Sequence, residues 1–364
     1  MKKSLIALAI ASAVSAPAFA ATSNVDVYGK INMTLGWFAD QPKAISDVQV
    51  SSIASRIGFK GNEDLGGGMA AIWQIESVVN LDEQTGTFAS RNSFVGLKGG
   101  FGTALIGNYD TPLKLVGRAV DLFADTFGDS RNVLGVGTDI RVKNVVAYVS
   151  PSWSGFSFAA AYTPDPATTA NNGGDLGNIN GIGPLNVGAT GNVYNFNGTY
   201  TNGPVYVGVA YSDGNYQSSN GLGAQYRLAG GFTFGDFKLV GQYDFLNADN
   251  LNLGMGMKGD YSGYMVGGSY TMGAMVFKAD YMAGDYKNAA NPDQWNLGMD
   301  YNLSKRTSVY ALYTEGKNTT LGSGAGASDQ IAGTGCQAVG SCTGVNQGGT
   351  GNISAFSLGV SHSF

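Results

Sequence analysis

Residues 352–364 read NISAFSLGVSHSF, and their side chains alternate between the two faces of an extended strand. One face is mostly large and apolar: Phe356, Leu358, Val360, His362 and Phe364. The other is small or polar: Ala355, Ser357, Gly359, Ser361 and Ser363. A period of two with one apolar face is typical of a strand that separates lipid from water. The segment therefore predicts a β-strand with its first face toward lipid and its second toward an aqueous lumen.

The same period recurs along the chain after residue 21. In a second clear example, residues 51–61, the apolar face predicted to meet lipid is Ile53, Ile57 and Phe59. The opposite, water-facing side is Ser52, Arg56, Gly58 and Lys60. Repeated over the sequence, the pattern predicts about sixteen strands, at 25–37, 51–61, 69–81, 88–99, 103–110, 140–150, 156–163, 193–201, 205–212, 221–234, 237–247, 259–271, 275–285, 293–303, 306–316 and 352–364.

An even number of such strands indicates an all-β, antiparallel transmembrane barrel. In lipid every backbone N–H and C=O group needs a partner within the protein, and a closed sheet supplies one without helices. A soluble β-helix or sandwich is the competing fold, but it does not need lipid-facing aromatic residues. Short turns, such as 202–204 and 235–236, alternate with long loops, such as 164–192 and 317–351, which predicts a periplasmic and an external end.

The N-terminus has the pattern of a cleaved secretory signal. Lys2 and Lys3 precede an apolar stretch over residues 5–14, and Ala18-Phe19-Ala20 forms a small-x-small cleavage site. Residues 1–20 are therefore expected to be removed, leaving residues 21–364 as a single barrel domain. No later run of 18 or more apolar residues occurs, which excludes helical membrane spans.

Composition excludes several functions. Without Lys2 and Lys3, 19 of the 21 basic residues remain against 26 acidic ones, so the mature net charge is about −7 and nucleic acid is not an expected partner. The 56 glycines are interrupted by patterned apolar segments, which disfavours a disordered chain. No glycine cluster forms a nucleotide-binding motif.

The two cysteines, Cys336 and Cys342, are six positions apart in a Gly/Ser/Thr-rich stretch. Export from the cytoplasm favours a small disulfide loop, with two free thiols as the alternative. A metal site is disfavoured because the sequence holds one histidine and no second cysteine pair. No metal or cofactor is expected.

Seven short segments together resemble the general Gram-negative porins, and within them the branch common in β-proteobacteria. They are residues 26–30 (DVYGK), 55–66 (SRIGFKGNEDLG), 74–76 (QIE), 91–98 (RNSFVGLK), 141–144 (RVKN), 148–151 (YVSP) and 359–364 (GVSHSF). The resemblance covers essentially the whole mature chain. It implies a homotrimer of sixteen-stranded barrels in the outer membrane, among lipid and lipopolysaccharide, that passes ions and small hydrophilic solutes.

The resemblance also implies a constriction. The third loop, residues 111–138, is expected to fold into the lumen; the charged candidates in and beside it are Asp110, Arg118, Asp121, Asp125 and Asp129. If the stretch is helical, Lys114, Arg118, Asp121 and Asp125 share one face. Their carboxylates then either face the lumen or pair with Arg118 and Lys114 on a solvated helix face.

Opposite the loop, the family places arginines on the barrel wall, and the matching residues are Arg56, Arg91 and Arg141. Lys60 and Lys143 lie beside them on the second and sixth strands. Lys30 and Glu76 fall on the water-facing phase, and they either line the lumen or are ordinary solvated wall residues. Asn108 stands where a further arginine is usual, which weakens the positive wall. The charges are expected to act as a filter of modest selectivity because the Debye length, about 8 Å at physiological salt, is comparable to such a pore's width.

The C-terminal Phe364 is, by the resemblance, the signal recognised by the outer-membrane assembly machinery, or else an aromatic of the membrane interface. Other function classes remain as alternatives: a substrate-specific channel, or an adhesion barrel whose long loops bind. An outer-membrane enzyme is disfavoured because the sole histidine, His362, lies on the lipid-facing phase.

Overall fold

The computed structural model describes residues 24–39, 48–164, 191–216, 223–247, 260–287, 291–321, 331–332 and 352–364. Residues 1–20, both cysteines and most of the loops at 164–192 and 317–351 lie outside these ranges. The signal peptide and the disulfide therefore stay predictions.

Within the described ranges most of the chain is strand. The strands are β1 (Asn24–Ala39), β2 (Val48–Ser52), β3 (Arg56–Gly66), β4 (Met69–Asn80), β5 (Thr85–Thr87), β6 (Ser93–Gly99), β7 (Gly102–Asp110), β8 (Arg141–Val149), β9 (Phe156–Thr163), β10 (Gly191–Asn202), β11 (Val205–Tyr216), β12 (Ala224–Phe234), β13 (Phe237–Leu246), β14 (Tyr261–Met272), β15 (Met275–Tyr286), β16 (Asp293–Asn302), β17 (Thr307–Lys317), β18 (Thr320–Leu321), β19 (Ile331–Ala332) and β20 (Asn352–Ser363). Two short helices, α1 (Pro112–Arg118) and α2 (Arg131–Leu134), lie between β7 and β8. Among the described residues no helix is long and apolar enough to cross a membrane.

The strands form one antiparallel sheet that closes on itself. β1 pairs with β3 and β2 along one edge and with β20 along the other, where Lys30 lies opposite Ser363 and Ala39 opposite Ser354. Over the described part of the chain sixteen strands make up the wall, because β2 and β3 are two parts of one strand and β5 is a short addition beside β4. The predicted sixteen-stranded barrel is confirmed.

The two faces of the wall differ as the alternation predicts. In β20, Leu358 and Val360 are 43% and 51% exposed, whereas Ala355 and Ser357 are each 1% exposed. The same outward set of large apolar side chains continues around the barrel, for example Phe237, Leu239 and Tyr243 on β13. This outer surface is suited to lipid, since apolar groups there do not have to be hydrated.

The turns at one end are tight. β10–β11, β12–β13 and β14–β15 are each joined by two residues, and the first is a glycine with positive φ: Gly203 (54°), Gly235 (55°) and Gly273 (61°). Such two-residue hairpins favour glycine because other residues rarely adopt this conformation. The turn between β3 and β4 is equally short, because β3 continues to Gly66 and only two residues separate it from β4.

The strand predicted over 51–61 is interrupted. The chain leaves the ladder between β2 and β3, where Ala54 has a φ of 53°. The alternation restarts after this break, so Ile53 is fully buried in a cluster with Phe38, Phe123 and Phe127. Its assignment to the lipid face is wrong, because a strict period of two holds only while pairing is unbroken.

One strand boundary and one strand's pairing also differ from the prediction. The strand expected from residue 88 begins as β6 at Ser93, so Arg91 lies in the bend before the strand. In β8 the register against β7 shifts, because Val142 lies opposite Tyr109 whereas Val145 lies opposite Gly107. Residues 143 and 144 therefore form a bulge.

Candidate functional site

The segment between β7 and β8, residues 111–140, follows the inner face of the wall. Helix α1 begins after Thr111, whose side chain accepts a hydrogen bond from the Lys114 N–H at 3.2 Å, and Pro112 occupies its first turn. The helix ends at Arg118, and the Asp121 carboxylate instead accepts the Phe123 N–H at 2.9 Å in a turn. The shared face of Lys114, Arg118, Asp121 and Asp125 required a helix that reaches Asp125, and the structure does not form one.

Apolar side chains attach this segment to the wall at two places. From α1 and α2, Leu113, Val116 and Leu134 are buried, and the wall side of this cluster is Ala210, Ala229, Val240, Met265 and Met282. Farther along, Phe123 and Phe127 join the cluster that contains Ile53. Burial of such side chains stabilises the docked segment by about 1.5–3 kcal/mol each.

Polar side chains of the wall bind the segment's backbone carbonyl groups. The donors and acceptors are Asn32 to Asp125 (2.7 Å), Asn197 to Pro112 (2.9 Å), Tyr261 to Val133 (3.0 Å), Gln294 to Gly128 (3.1 Å) and Asn296 to Gly128 (2.9 Å). These donors lie on β1, β10, β14 and β16. The loop is thus held at several points on the barrel's inner circumference.

Arg118 forms ion pairs with three acidic residues of the loop. Its guanidinium lies 2.6 Å from Asp125, 2.6 Å from Asp129 and 3.6 Å from Asp121. The side chains of Asp121 and Asp129 are fully buried. Of the two alternatives for the loop carboxylates, pairing with Arg118 therefore describes Asp121 and Asp129, but the expected solvated helix face is wrong because both carboxylates are buried beyond the end of the helix, and Lys114 pairs with Asp110 instead.

Asp125 connects the loop to the wall. Its carboxylate lies 3.0 Å from the Lys30 Nζ of β1 and 3.2 Å from the Arg56 Nη1 of β3, besides contacting Arg118. The residue adopts a φ of 60°, a left-handed conformation that aspartate tolerates better than most residues. Lys30, Arg56 and Arg118 thus surround one carboxylate.

The other wall residues form two adjoining ion pairs. Arg91 lies 2.6 Å from Glu76, which also accepts the Tyr28 hydroxyl at 2.9 Å. Arg141 lies 3.1 Å from Asp110, whose other cationic neighbour is Lys114 at 2.9 Å.

Asn92 and Asn108 order this region. The Asn92 side-chain oxygen accepts hydrogen bonds from Arg141 Nε at 2.7 Å and from the Asp110 N–H at 3.1 Å. The Asn108 amide donates to the Arg91 carbonyl at 3.0 Å and so supports the bend that carries Arg91. The position where an arginine is usual thus contributes indirectly to the cluster.

Lys60 and Lys143 occupy positions on the wall that differ from those of Arg91 and Arg141. Lys60 is exposed in the middle of β3, with its Nζ 5.2 Å from the centre of the Tyr28 ring. Lys143 lies in the β8 bulge, so alternation alone does not assign its face.

Burial and neighbouring charges shift the pKa values of the loop residues. Burial raises the pKa of Asp125, but Lys30, Arg118 and Arg56 outweigh it and hold the value well below its usual range. Burial lowers the pKa of Lys114 to about 7, and Arg131 acts in the same direction. Burial and the nearby Asp129 raise the pKa of Asp121. Near neutral pH Asp125 is thus the firmly ionised acid that faces the wall.

A family profile described as Gram-negative porin matches residues 7–321. The chain belongs to this family. The major outer membrane protein P.IB of Neisseria sicca is 32% identical over 349 residues, which cover 85% of this chain and 92% of that protein. Outer membrane porin protein 32 of Delftia acidovorans is 30% identical over 353 residues, 88% and 92% of the two chains.

The porin also matches solved structures. The anion-selective porin from Comamonas acidovorans gives a TM-score of 0.70 at 24% identity and covers 94% of this chain and 100% of its own. OmpF of Salmonella typhi, solved with daunomycin, gives a TM-score of 0.64 at 14% identity, with 93% and 97% coverage. These likenesses show the fold, and the family places the porin in the outer membrane of a Gram-negative bacterium.

Arg227 was missed by the sequence reasoning, together with the charged residues in contact with it or with its partner, Arg131, Asp139 and Asp244. Arg227 on β12 is 2% exposed and contacts both helices of the porin's inner loop. The alternation of Gln225, Arg227 and Ala229 against Tyr226 and Leu228 carried the signal, because it places a lone arginine on the inner face. The family motifs lie in the first six predicted strands and at the C-terminus, so they do not point to it.

Proposed function

We propose that this porin is a passive, water-filled diffusion channel for ions and small hydrophilic solutes, filtered by the arginine wall and the loop, with a weak preference for anions. The observation that carries the preference is an asymmetry of exposure in three of the arginine ion pairs; in the Arg141–Asp110 pair the two exposures are similar, and in the Lys114–Asp110 pair the order is reversed (11% and 14%). The basic side chain is the more exposed partner for Arg118 over Asp129 (26% and 0%), Arg56 over Asp125 (23% and 11%) and Arg91 over Glu76 (21% and 10%).

This asymmetry determines the sign of the charge nearest to a passing ion. The buried carboxylate cancels part of the electric field of its guanidinium partner, but the guanidinium lies nearer the water, so its positive charge acts more strongly on the ion. Fixed charges influence ions within about one Debye length, about 8 Å at physiological salt, so the exposed cations attract small anions without binding them tightly. The name of the Comamonas acidovorans porin, anion-selective, agrees with this direction.

The proposal includes a homotrimer embedded in outer-membrane lipid and lipopolysaccharide. The exposed apolar outer face supports contact with lipid or with a second copy. Phe364 is proposed as the signal for the assembly machinery; it is 42% exposed, and its backbone exchanges two hydrogen bonds of 3.1 Å with Gly29. Deleting Phe364 is expected to lower the amount of porin in the outer membrane while leaving detergent-refolded protein conductive.

The alternative functions have less support. His362 Nδ1 lies 2.9 Å from the Thr307 hydroxyl, within reach of a nucleophile and its base, but the ring stacks near Phe364 and, among the described residues, no carboxylate orients it as a catalytic base requires. A substrate-specific channel or an adhesion barrel would depend on the long loops, most of which lie outside the described residues.

A planar bilayer experiment tests the proposal. Purified mature protein is added to the bilayer, current steps are recorded, and the reversal potential is measured across a potassium chloride gradient. Large, long-lived steps with a reversal potential in the chloride direction support the proposal. Silence from a protein shown to be folded and inserted would sink the open-channel claim, and a potential in the potassium direction would refute the anion preference alone.

A further inference from the structure

Arg227 binds both the wall and the loop. Its side chain is fully buried, so it does not line the path of ions. On the wall side it pairs with Asp244 of β13, from Nε to Oδ1 at 2.5 Å and from Nη2 to Oδ2 at 3.2 Å. Asp244 also accepts the Gln242 amide at 2.7 Å, which fixes the carboxylate on the wall.

On the loop side Arg227 reaches three acceptors. Nη1 donates to the Leu113 carbonyl of α1 at 3.2 Å and to the Asp139 carboxylate, and Nη2 donates to the Leu134 carbonyl at the end of α2 at 3.1 Å. With the two bonds to Asp244, all five N–H donors of the guanidinium are used. One side chain thereby joins the start of the loop, its second helix and its last turn to the same point of the wall.

The charges around Arg227 are balanced. Asp139 also pairs with Arg131 at 2.7 Å, so a chain of two guanidiniums and two carboxylates runs from the loop into the wall. Buried charges are tolerated when they are paired and hydrogen-bonded in this way, and such networks are sensitive to geometry. The network therefore favours one docked position of the loop over others of similar apolar burial.

Gly117 gives independent evidence that α1 lies very close to Arg227. It lies inside α1, where glycine is a poor helix former. A Cβ at this position would lie 2.4 Å from the Arg227 Nη1 and 3.0 Å from the Gln242 side-chain oxygen. The missing side chain thus lets the helix approach the guanidinium closely.

We propose that Arg227 is the positioning residue of the constriction: it fixes segment 111–140 against the wall, and so sets the width and steadiness of the pore without facing the permeating ion. The part concerning the pore rests on the proposed function. The docking itself is a property of the folded chain and is measurable without any current.

The main variants are R227K and G117A. R227K keeps the charge but has three donors on a flexible stem instead of a five-donor fork, so the loop loses contacts without a change of net charge. G117A disturbs the same contact from the loop side. The matched control is R306K, the same exchange at Arg306, an exposed arginine in a short turn.

Two measurements follow for each variant that keeps the folded barrel by circular dichroism. Hydrogen exchange of amides in 111–140 is expected to rise about tenfold or more in R227K and G117A, on the scale of losing one or two hydrogen bonds, while β13 and β14 stay protected. In bilayers the same variants are expected to show at least tenfold more frequent brief closures. The double variant is expected to add little to the stronger single one, because both act on one contact.

The outcomes separate the two proposals. If folded R227K and G117A stay within about twofold of the parent and R306K in loop exchange and closure rate, the positioning inference is overturned, whether or not the parent conducts. If R227K does not fold, G117A alone decides it. If the parent is silent but its loop exchange responds as expected, the channel proposal fails while the docking role of Arg227 stands.

Discussion

Replacing Arg56, Arg91 and Arg141 together with serine is expected to move the ion preference toward cations. The three arginines now neutralise Asp125, Glu76 and Asp110 from the wall side. Their removal deletes three partly exposed positive charges and leaves those carboxylates less compensated. Both effects favour potassium over chloride at the constriction.

The size of the effect follows from screened electrostatics. A unit charge in water acts on an ion about 8 Å away with about 0.5 kcal/mol, which screening over one Debye length reduces to about 0.2 kcal/mol. Cations and anions respond with opposite signs, so each charge contributes about 0.4 kcal/mol to their ratio. Three charges give about 1.2 kcal/mol, a change of about sevenfold in the permeability ratio of potassium to chloride.

The assay is the reversal potential of single channels in a potassium chloride gradient at about 0.15 M and again at 1 M salt. At the higher salt the Debye length falls to about 3 Å, so the difference between parent and variant is expected to shrink. A matched control replaces Lys98, Lys305 and Arg306 with serine, which removes the same net charge from exposed positions near the short turns. A triple variant with the parent's reversal potential, or a control that shifts equally, would refute a filter at these arginines.

Three other changes give distinct expectations. Asp125→Asn removes the carboxylate shared by three cations, so anion preference should rise; an unchanged reversal potential in the folded variant would contradict the contact between wall and loop. Because the pKa of Lys114 is lowered to about 7, raising the pH from 6 to 8 removes its positive charge, while Asp121, whose pKa is raised to about 7, gains a negative charge over the same range. Anion preference should therefore fall in the parent and fall less in Lys114→Met, where Asp121 still titrates; an equal fall in both would contradict a role for Lys114. Phe127→Ala empties a fully buried site, a change that costs about 3–5 kcal/mol in well-packed cores. Hydrogen exchange should therefore accelerate in 111–140 while β13 keeps its protection, and equal acceleration in both would show general destabilisation instead.

The barrel was predictable because its pattern is local. In β20 each residue's neighbours at two-residue spacing already show which face is apolar, and the structure keeps that alternation unbroken. Ile53 and Lys143 lie where pairing is interrupted, near Ala54 and in the β8 bulge. The sequence has no local sign of those breaks, since they follow from how the strands meet the loop and each other.

The candidate site was predictable in its residue types but less so in its contacts. The family motifs supplied Arg56, Arg91 and Arg141, and the loop supplied Asp125. The pairing of Asp125 with Lys30 joins residues 95 positions apart, which no spacing rule gives. Arg227 lies outside the family motifs, and only its inward phase distinguishes it from a solvated surface arginine.

The pairing of β1 with β20 has a consequence for the order of folding. Ten residue pairs join strands more than 300 positions apart, so closing this seam carries a loop-closure entropy cost. The contacts that offset this cost form only when the last strand is in place. Before that strand pairs, the sheet of the wall has two free edges. Their unbonded backbone N–H and C=O groups each cost several kcal/mol in hydrocarbon. Insertion and closure are therefore coupled, and a defect in the final strand is expected to appear as lost yield of barrel rather than as an altered pore.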